Sequence, residues 1–116
     1  MERKEINTEN FSDKIIEDFA KAWINLDARL LTQHLDDTFI YDSQWTYNSL
    51  NVRDYIMYIY NKFNLLKSRG IKLNVQIVDD NVVGGKMIQI EQDGNVSFYR
   101  IKVKDSKVIK ADMCMF

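Results

Sequence analysis

The residue best placed for acid–base chemistry is Asp42, which follows a short β-branched and aromatic segment at 38–41. At the mouth of an apolar cavity, burial would push the pKa of this carboxyl group toward neutrality, and it could then act as a general base. The alternative is a solvated, ionised aspartate that caps the loop at 43–48. The sequence leaves both interpretations of Asp42 open.

A second candidate is Tyr99, which alternates in phase with Ile101 and Val103 along a segment typical of a β-strand. A tyrosine hydroxyl on that apolar face needs a hydrogen-bond partner. A ligand, a backbone carbonyl or a buried water molecule would each supply one. Tyr99 could therefore polarise a substrate carbonyl while Asp42 moves a proton.

Large aromatic side chains at core-facing spacings could line an apolar pocket. The candidate pocket residues are Phe19, Trp23, Tyr41, Trp45, Tyr60 and Phe63, with Ile101 and Asp112 from the predicted sheet. An aromatic core without a pocket is the alternative, and it explains most of these rings equally well. Asp112 faces either the solvent or the pocket, depending on whether the last strand contains a bulge.

The sequence offers little to hold a metal ion or a cofactor, and we expect neither. His34 is the only histidine and Cys114 the only cysteine, so no zinc-ligand spacing exists. There is also no glycine-rich phosphate loop and no Gly-x-Ser-x-Gly motif. His34 could pair with Asp37 or Asp42 as a proton shuttle, or it could be a partly exposed histidine on a short helix. Cys114 lies among apolar residues, as is typical of an inert thiol.

Composition limits the domain count and the partners. The chain of 116 residues has room for one domain, predicted over 11–116 after a flexible polar segment at 1–10. The 16 basic and 17 acidic residues give a net charge of −1, which offers no reason to expect nucleic acid or an anionic membrane surface as a partner. No apolar run approaches the roughly 20 residues of a membrane span. A single cysteine fits a reducing compartment, so we expect a cytoplasmic protein.

In the first part of the chain, apolar residues recur at helical spacing over 11–26 and again over 52–66. Asn10 and Asn51 predict the N-caps of these two helices, and Gly70 predicts the end of the second. A short helix and one strand separate them.

From residue 71 onward, apolar and polar residues alternate, which predicts strands joined by turns. The expected strands cover 71–77, 82–91, 96–103 and 107–116. The pair Gly84-Gly85 predicts a bulge or bend inside the second of them. This order of elements predicts an α+β fold in which the helices pack on a curved antiparallel sheet that forms a cone.

The element order and several segments resemble the nuclear transport factor 2-like superfamily, which includes SnoaL-like cyclases, scytalone dehydratase and ketosteroid isomerase. The resemblance runs from about Phe11 to Phe116. Its best segments are 23–35, 36–42, the helix at 52–63 and the closing hairpin at 105–109. The resemblance implies a cystatin-like cone with an internal pocket.

Ketosteroid isomerases are similar in placing an aspartate general base at the end of the first strand, where this chain has Asp42. They stabilise an enolate with a tyrosine of the first helix and a protonated acid of a later strand. Phe19, which cannot donate a hydrogen bond, stands at the first of these two positions, and Tyr99 stands near the second. The resemblance therefore implies a domain that binds a small apolar molecule and that could be a cofactor-free isomerase or lyase with Asp42 as its general base. The alternative is a non-catalytic binding or dimerisation module. It also implies a homodimer formed through the sheet.

Overall fold

A computed structural model of the chain describes residues 2–43 and 49–115, and it describes the side chains of residues 13–43 and 49–114. The predicted α+β architecture is confirmed. The elements in chain order are α1 (Glu2–Asn25), α2 (Arg29–Thr32), β1 (Leu35–Ser43), β2 (Leu50–Asn51), α3 (Val52–Ser68), β3 (Asn74–Asp79), β4 (Lys86–Gln92), β5 (Asn95–Lys104) and β6 (Lys107–Met115).

Helix α1 begins earlier than predicted, at Glu2 instead of after Asn10. The reason is that its first turns contain the strong helix formers Glu, Arg and Lys, and neither glycine nor proline interrupts them. The flexibility expected of residues 1–10 stays a prediction. The expected apolar stripe is confirmed, because Ile15, Phe19 and Trp23 are all buried.

Helix α3 confirms both of its predicted boundaries. The Asn51 side chain accepts a hydrogen bond of 2.9 Å from the backbone N–H of Asp54, as an N-cap residue does. Gly70 follows the C-terminus with a φ of +65°, a left-handed conformation that glycine adopts without strain. Among the helices of the described residues, none is long and apolar enough to cross a membrane.

The helices pack against one six-stranded sheet, whose strand order is β2-β1-β6-β5-β4-β3. The predicted antiparallel meander of β3 to β6 is confirmed. The sheet as a whole is mixed, because β1 runs parallel to β6. This parallel pairing is possible because α3 and four strands separate β1 from β6, which is ample length for a crossover.

The glycine pair Gly84-Gly85 corrects the prediction for the second strand. Both glycines lie in the turn between β3 and β4, with φ of 87° and 75°, and β4 begins only at Lys86. The strand expected over 82–91 is therefore shorter. Positive φ at two successive residues suits a turn and cannot continue a ladder.

An aspartate shapes this same turn. The Asp80 carboxylate accepts hydrogen bonds from the backbone N–H groups of Val82 and Val83, at 3.0 and 3.2 Å. Arg100 of β5 donates from Nε to the other carboxylate oxygen at 2.6 Å. Hydrogen bonding to Arg100 lowers the pKa of Asp80 to about 2. The turn is thereby anchored to the sheet.

Alternation along the strands gives the sheet two distinct faces. Tyr99, Ala111 and Met113 are buried against the helices, and we call their side the inner face. Their neighbours in sequence, such as Phe98 and Arg100, point away from the helices, and we call that side the outer face. The assignment of each strand residue to one face decides which side chains can reach a common site.

Candidate functional site

Contacting aromatic rings fill much of the space between the helices and the inner face. This aromatic cluster consists of Phe19, Trp23, Phe39, Tyr41, Tyr55, Tyr58, Phe63 and Tyr99. Ring centroids are as close as 4.6 Å for Tyr41 and Tyr55. Three of the predicted pocket residues, Phe19, Tyr41 and Phe63, are fully buried in the cluster. They pack the core.

The tyrosine hydroxyls inside the cluster pair with neighbouring side chains. The hydroxyl oxygens of Tyr55 and Tyr99 lie 2.6 Å apart. The hydroxyl of Tyr41 is hydrogen-bonded to Ser43 and Tyr58. Burial raises the pKa of Tyr41, Tyr55 and Tyr99 well above that of a free tyrosine. Tyr99 therefore stays neutral and has an internal partner for its hydroxyl group.

A cavity of about 380 Å³ adjoins the aromatic cluster, between the end of α1, α3 and the strands β4 to β6. Its apolar lining consists of Trp23, Tyr58, Leu73, Ile90 and Met113. Its polar lining consists of Lys62, Gln92, Asp93, Asn95 and Ser97. Asp93 and Asn95 are exposed in the β4–β5 hairpin, so the polar residues concentrate toward that end. An apolar wall that faces a set of polar groups can bind the body of a small molecule and fix its orientation.

Of the predicted pocket residues that the structure describes, Trp23 alone lines this cavity. Its side chain is only 2% exposed, and its Nε1 has no hydrogen-bond partner among the described residues. The ring packs edge-on against Phe63 and Tyr99. A buried donor without an acceptor is rare in a native structure and needs an explanation.

Lys62 and Ser97 were not identified from the sequence. Lys62 lies on α3 with Nζ 5.8 Å from the centroid of the Tyr58 ring. Among the described residues no carboxylate forms an ion pair with it. The i,i+4 spacing of Tyr58 and Lys62 on one helix face was the only available signal, and it is common on solvated helices.

Asp42 lies on the outer face of the sheet, as the register with Asp112 and the inward position of Tyr41 require. Its side chain is 44% exposed, with Oδ2 3.6 Å from Nζ of Lys110. Ser49 Oγ donates a hydrogen bond to its other oxygen. The described contacts do not bring Asp42 together with the Tyr99 hydroxyl, which lies inside.

Asp112 also lies on the outer face, between Ala111 and Met113, which point inward. The bulge on which its orientation depends is present earlier in β6, between Val108 and Lys110. These two residues pair with the consecutive residues Val103 and Lys102 of β5. Partial burial raises the pKa of Asp112, against the opposing effect of Arg100 beside it. Of the two predicted orientations of Asp112, toward the solvent or toward the pocket, the structure has the first.

The remaining predicted pocket residues lie elsewhere. Tyr60 is 37% exposed on α3, because the helix turns it away from the sheet. Ile101 lines a separate groove of about 280 Å³ beside Ile16 and Gly85. Trp45 falls outside the described residues.

His34 pairs with a residue that the sequence did not suggest. Its Nε2 lies 2.8 Å from the Asp18 carboxylate of α1, and not beside Asp37 or Asp42. Burial alone would raise the pKa of Asp18, but hydrogen bonds from His34 and Lys14 outweigh burial and lower it. The pair ties α1 to the chain before β1. Within the described part of the chain, no group of three or more His, Cys, Asp or Glu side chains could hold a metal ion.

Solved structures of other proteins share this architecture at low sequence identity. A SnoaL-like protein of unknown function from Burkholderia thailandensis is 15% identical, with a TM-score of 0.71 over 92% of this chain and 95% of that one. An NTF2-like protein of unknown function from Cytophaga hutchinsonii is 8% identical, with a TM-score of 0.63 over 90% and 88%. An LEH-like epoxide hydrolase from M. tuberculosis is 12% identical, with a TM-score of 0.61 over 92% and 84%.

Sequence comparison adds no further relationship, since no protein-family model and no curated protein matches the chain. Structural similarity at such low sequence identity shows a shared fold and does not establish a shared activity. The chain has the nuclear transport factor 2-like fold.

Proposed function

We propose that the protein is a small-molecule-binding domain whose ligand occupies the cavity beside Trp23. The observation that carries this proposal is a cavity of about 380 Å³ whose wall includes Trp23, a buried residue whose indole N–H has no acceptor among the described residues. An apolar wall of Leu73, Ile90 and Met113 adds the surface that would bury the body of a ligand.

The methyl group of Met113 offers a direct test, because methionine methyl resonances report local contacts. We expect a neutral aromatic fragment such as benzyl alcohol to shift the Met113 methyl signal. The signal of Met57, which is exposed on α3, should not move, since Met57 lies on the helix surface. Shifts of similar size at both methionines would indicate non-specific binding and contradict the proposal.

Filling the cavity should weaken binding. Ser97→Phe places a ring in the cavity wall, and we expect it to weaken fragment binding by about tenfold or more, equivalent to ~1.4 kcal/mol. Lys102→Phe is the matched control, because it adds the same ring to the exposed outer side of the same strand. Titrations followed at Met113 measure both. Unchanged affinity in Ser97→Phe would place the ligand elsewhere.

Catalysis by Asp42 and Tyr99 stays a prediction, and the described contacts favour binding alone. Asp42 pairs with Lys110 on the outer face, whereas the cavity lies on the inner side. We expect Asp42→Asn to leave fragment affinity within about twofold at every pH, as surface substitutions generally do. Loss of a titration near neutrality in this variant would instead support a general base.

We also propose that two copies associate through the outer face of the sheet. Met87, Phe98 and Cys114 supply partly exposed apolar side chains there, with Phe98 and Cys114 directly paired across strands. Light scattering after gel filtration should give the mass of two chains for the wild type and of one chain for Phe98→Lys. Met57→Lys on α3 serves as the control and should remain dimeric. A monomeric wild type would contradict this proposal.

A further inference from the structure

Two of the polar groups around the cavity are donors without the partners that their chemistry calls for, and this indicates a class of ligand. Trp23 Nε1 can only donate a hydrogen bond, and it lacks an acceptor among the residues described. Lys62 can only donate as well, and within the described part of the chain it has no carboxylate partner. Trp23 Nε1 therefore requires an acceptor, and an acceptor that carries a negative charge would also give Lys62 a counter-ion.

The charges favour an anionic acceptor. Among the described residues that line the cavity, Lys62 is the only cation and is half-buried, whereas the only anion, Asp93, is exposed in the hairpin turn. Water screens an exposed charge far more than a half-buried one. The potential inside the cavity is thus set more by Lys62 than by Asp93.

We propose that the ligand is a small organic acid, with an apolar or aromatic body and a carboxylate group. This inference rests on the proposed function and specifies its ligand. The body packs against Leu73, Ile90 and Met113. The carboxylate accepts a hydrogen bond from Trp23 Nε1, and the ammonium group of Lys62 supplies the compensating charge. Hydrogen bonds to charged groups are stronger than neutral ones, so the acid gains more than a neutral analogue would.

Phenylpropanoate and phenylpropanol form a suitable pair of probes, because they differ only in the acidic group. Their affinities are measured by titration of the Met113 methyl signal. We expect the wild type to bind the acid about tenfold or more tightly than the alcohol, as a charge-assisted hydrogen bond predicts. We also expect the indole N–H signal of Trp23, assigned as the indole signal that remains in Trp45→Phe, to move downfield with the acid.

Two variants test the two donors. Trp23→Phe keeps an aromatic ring and removes the donor, and Lys62→Met keeps a side chain of similar length and removes the charge. Each should reduce the preference for the acid, and Lys102→Met, which removes a charge from the outer face, should preserve it. The indole signal of the wild type provides the same test without a substitution, should Trp23→Phe fail to fold.

The outcomes separate the inference from the proposed function. If both probes shift Met113 with equal affinity, the cavity binds ligands but the preference for an acid is wrong. An unmoved indole signal on acid binding would likewise overturn the role of Trp23. If neither probe shifts Met113, the proposed function fails and the inference fails with it.

Discussion

Replacing Phe63 with alanine is expected to lower the free energy of unfolding by about 3–5 kcal/mol, the usual cost of removing a buried phenylalanine ring. Phe63 is 1% exposed, and its ring meets Trp23 edge-on at a centroid distance of 4.9 Å. Removing it leaves a space between α3 and the end of α1 that neighbouring side chains can only partly fill. Urea denaturation followed by circular dichroism measures the difference.

Tyr60→Ala is the matched control on the same helix. Tyr60 and Phe63 were equal candidates for the pocket at the level of sequence, yet Tyr60 is 37% exposed. We therefore expect Tyr60→Ala to cost less than about 1 kcal/mol, as exposed substitutions generally do. Equal losses in the two variants would mean that α3 is rotated about its axis relative to the arrangement described.

Much of the fold follows from local signals whose physical basis is short-ranged. Asn51 predicts an N-cap because its side chain bonds a backbone N–H within the next turn, and the structure has that bond. Alternation placed Tyr99 on the inner face with Ile101, and Tyr99 is buried there. Such features depend on a few consecutive residues, so a single sequence contains the information.

Long-range features were not predictable in the same way. The parallel pairing of β1 with β6 joins segments separated by most of the chain. The orientation of Asp112 depends on a shift of pairing between β5 and β6, which is set by the whole ladder. Gly84-Gly85 showed that the backbone must turn, but only the contacts of Asp80 and the pairing of the two strands show that the turn joins β3 to β4.

The candidate site was the least predictable feature. Trp23 could be named because large rings tend to line pockets, but the same argument named Phe19 and Tyr41, which fill the core. Lys62 and Ser97 have no distinguishing sequence signal, since each lies on an ordinary helix or strand. Which end of a cone is filled and which is open depends on the summed volumes of side chains from every element.

Alkaline pH is expected to unfold the protein through its buried tyrosines. Three of the five tyrosines that the structure describes, Tyr41, Tyr55 and Tyr99, are buried, and burial raises the pKa of each. In the unfolded chain they ionise near the ordinary value of about 10. Above that pH the unfolded state has lost protons that the folded state still holds, so the stability they contribute is present below it and falls as pH rises.

The loss is large because the three contributions add. Each tyrosine whose pKa is raised lowers the free energy of unfolding by about 1.4 kcal/mol per pH unit above its unfolded pKa. Three of them together lower it by ~4 kcal/mol at about pH 11. A domain with a typical stability of about 5–15 kcal/mol should therefore lose its fold within one or two further units. We expect tyrosinate absorbance to appear together with the loss of circular dichroism.

The paired substitution Tyr55→Phe with Tyr99→Phe identifies the groups responsible. It removes both members of the hydroxyl pair, so neither oxygen is left unpaired by loss of the other. Two of the three raised tyrosines are then gone, and the fall of stability with pH should shrink to about a third of its slope. The comparison of slopes is independent of any change in absolute stability at neutral pH. A wild type whose tyrosines all ionise near pH 10 without unfolding would mean that water reaches the aromatic cluster. In that case the cavity beside Trp23 would extend into the core instead of ending at its wall.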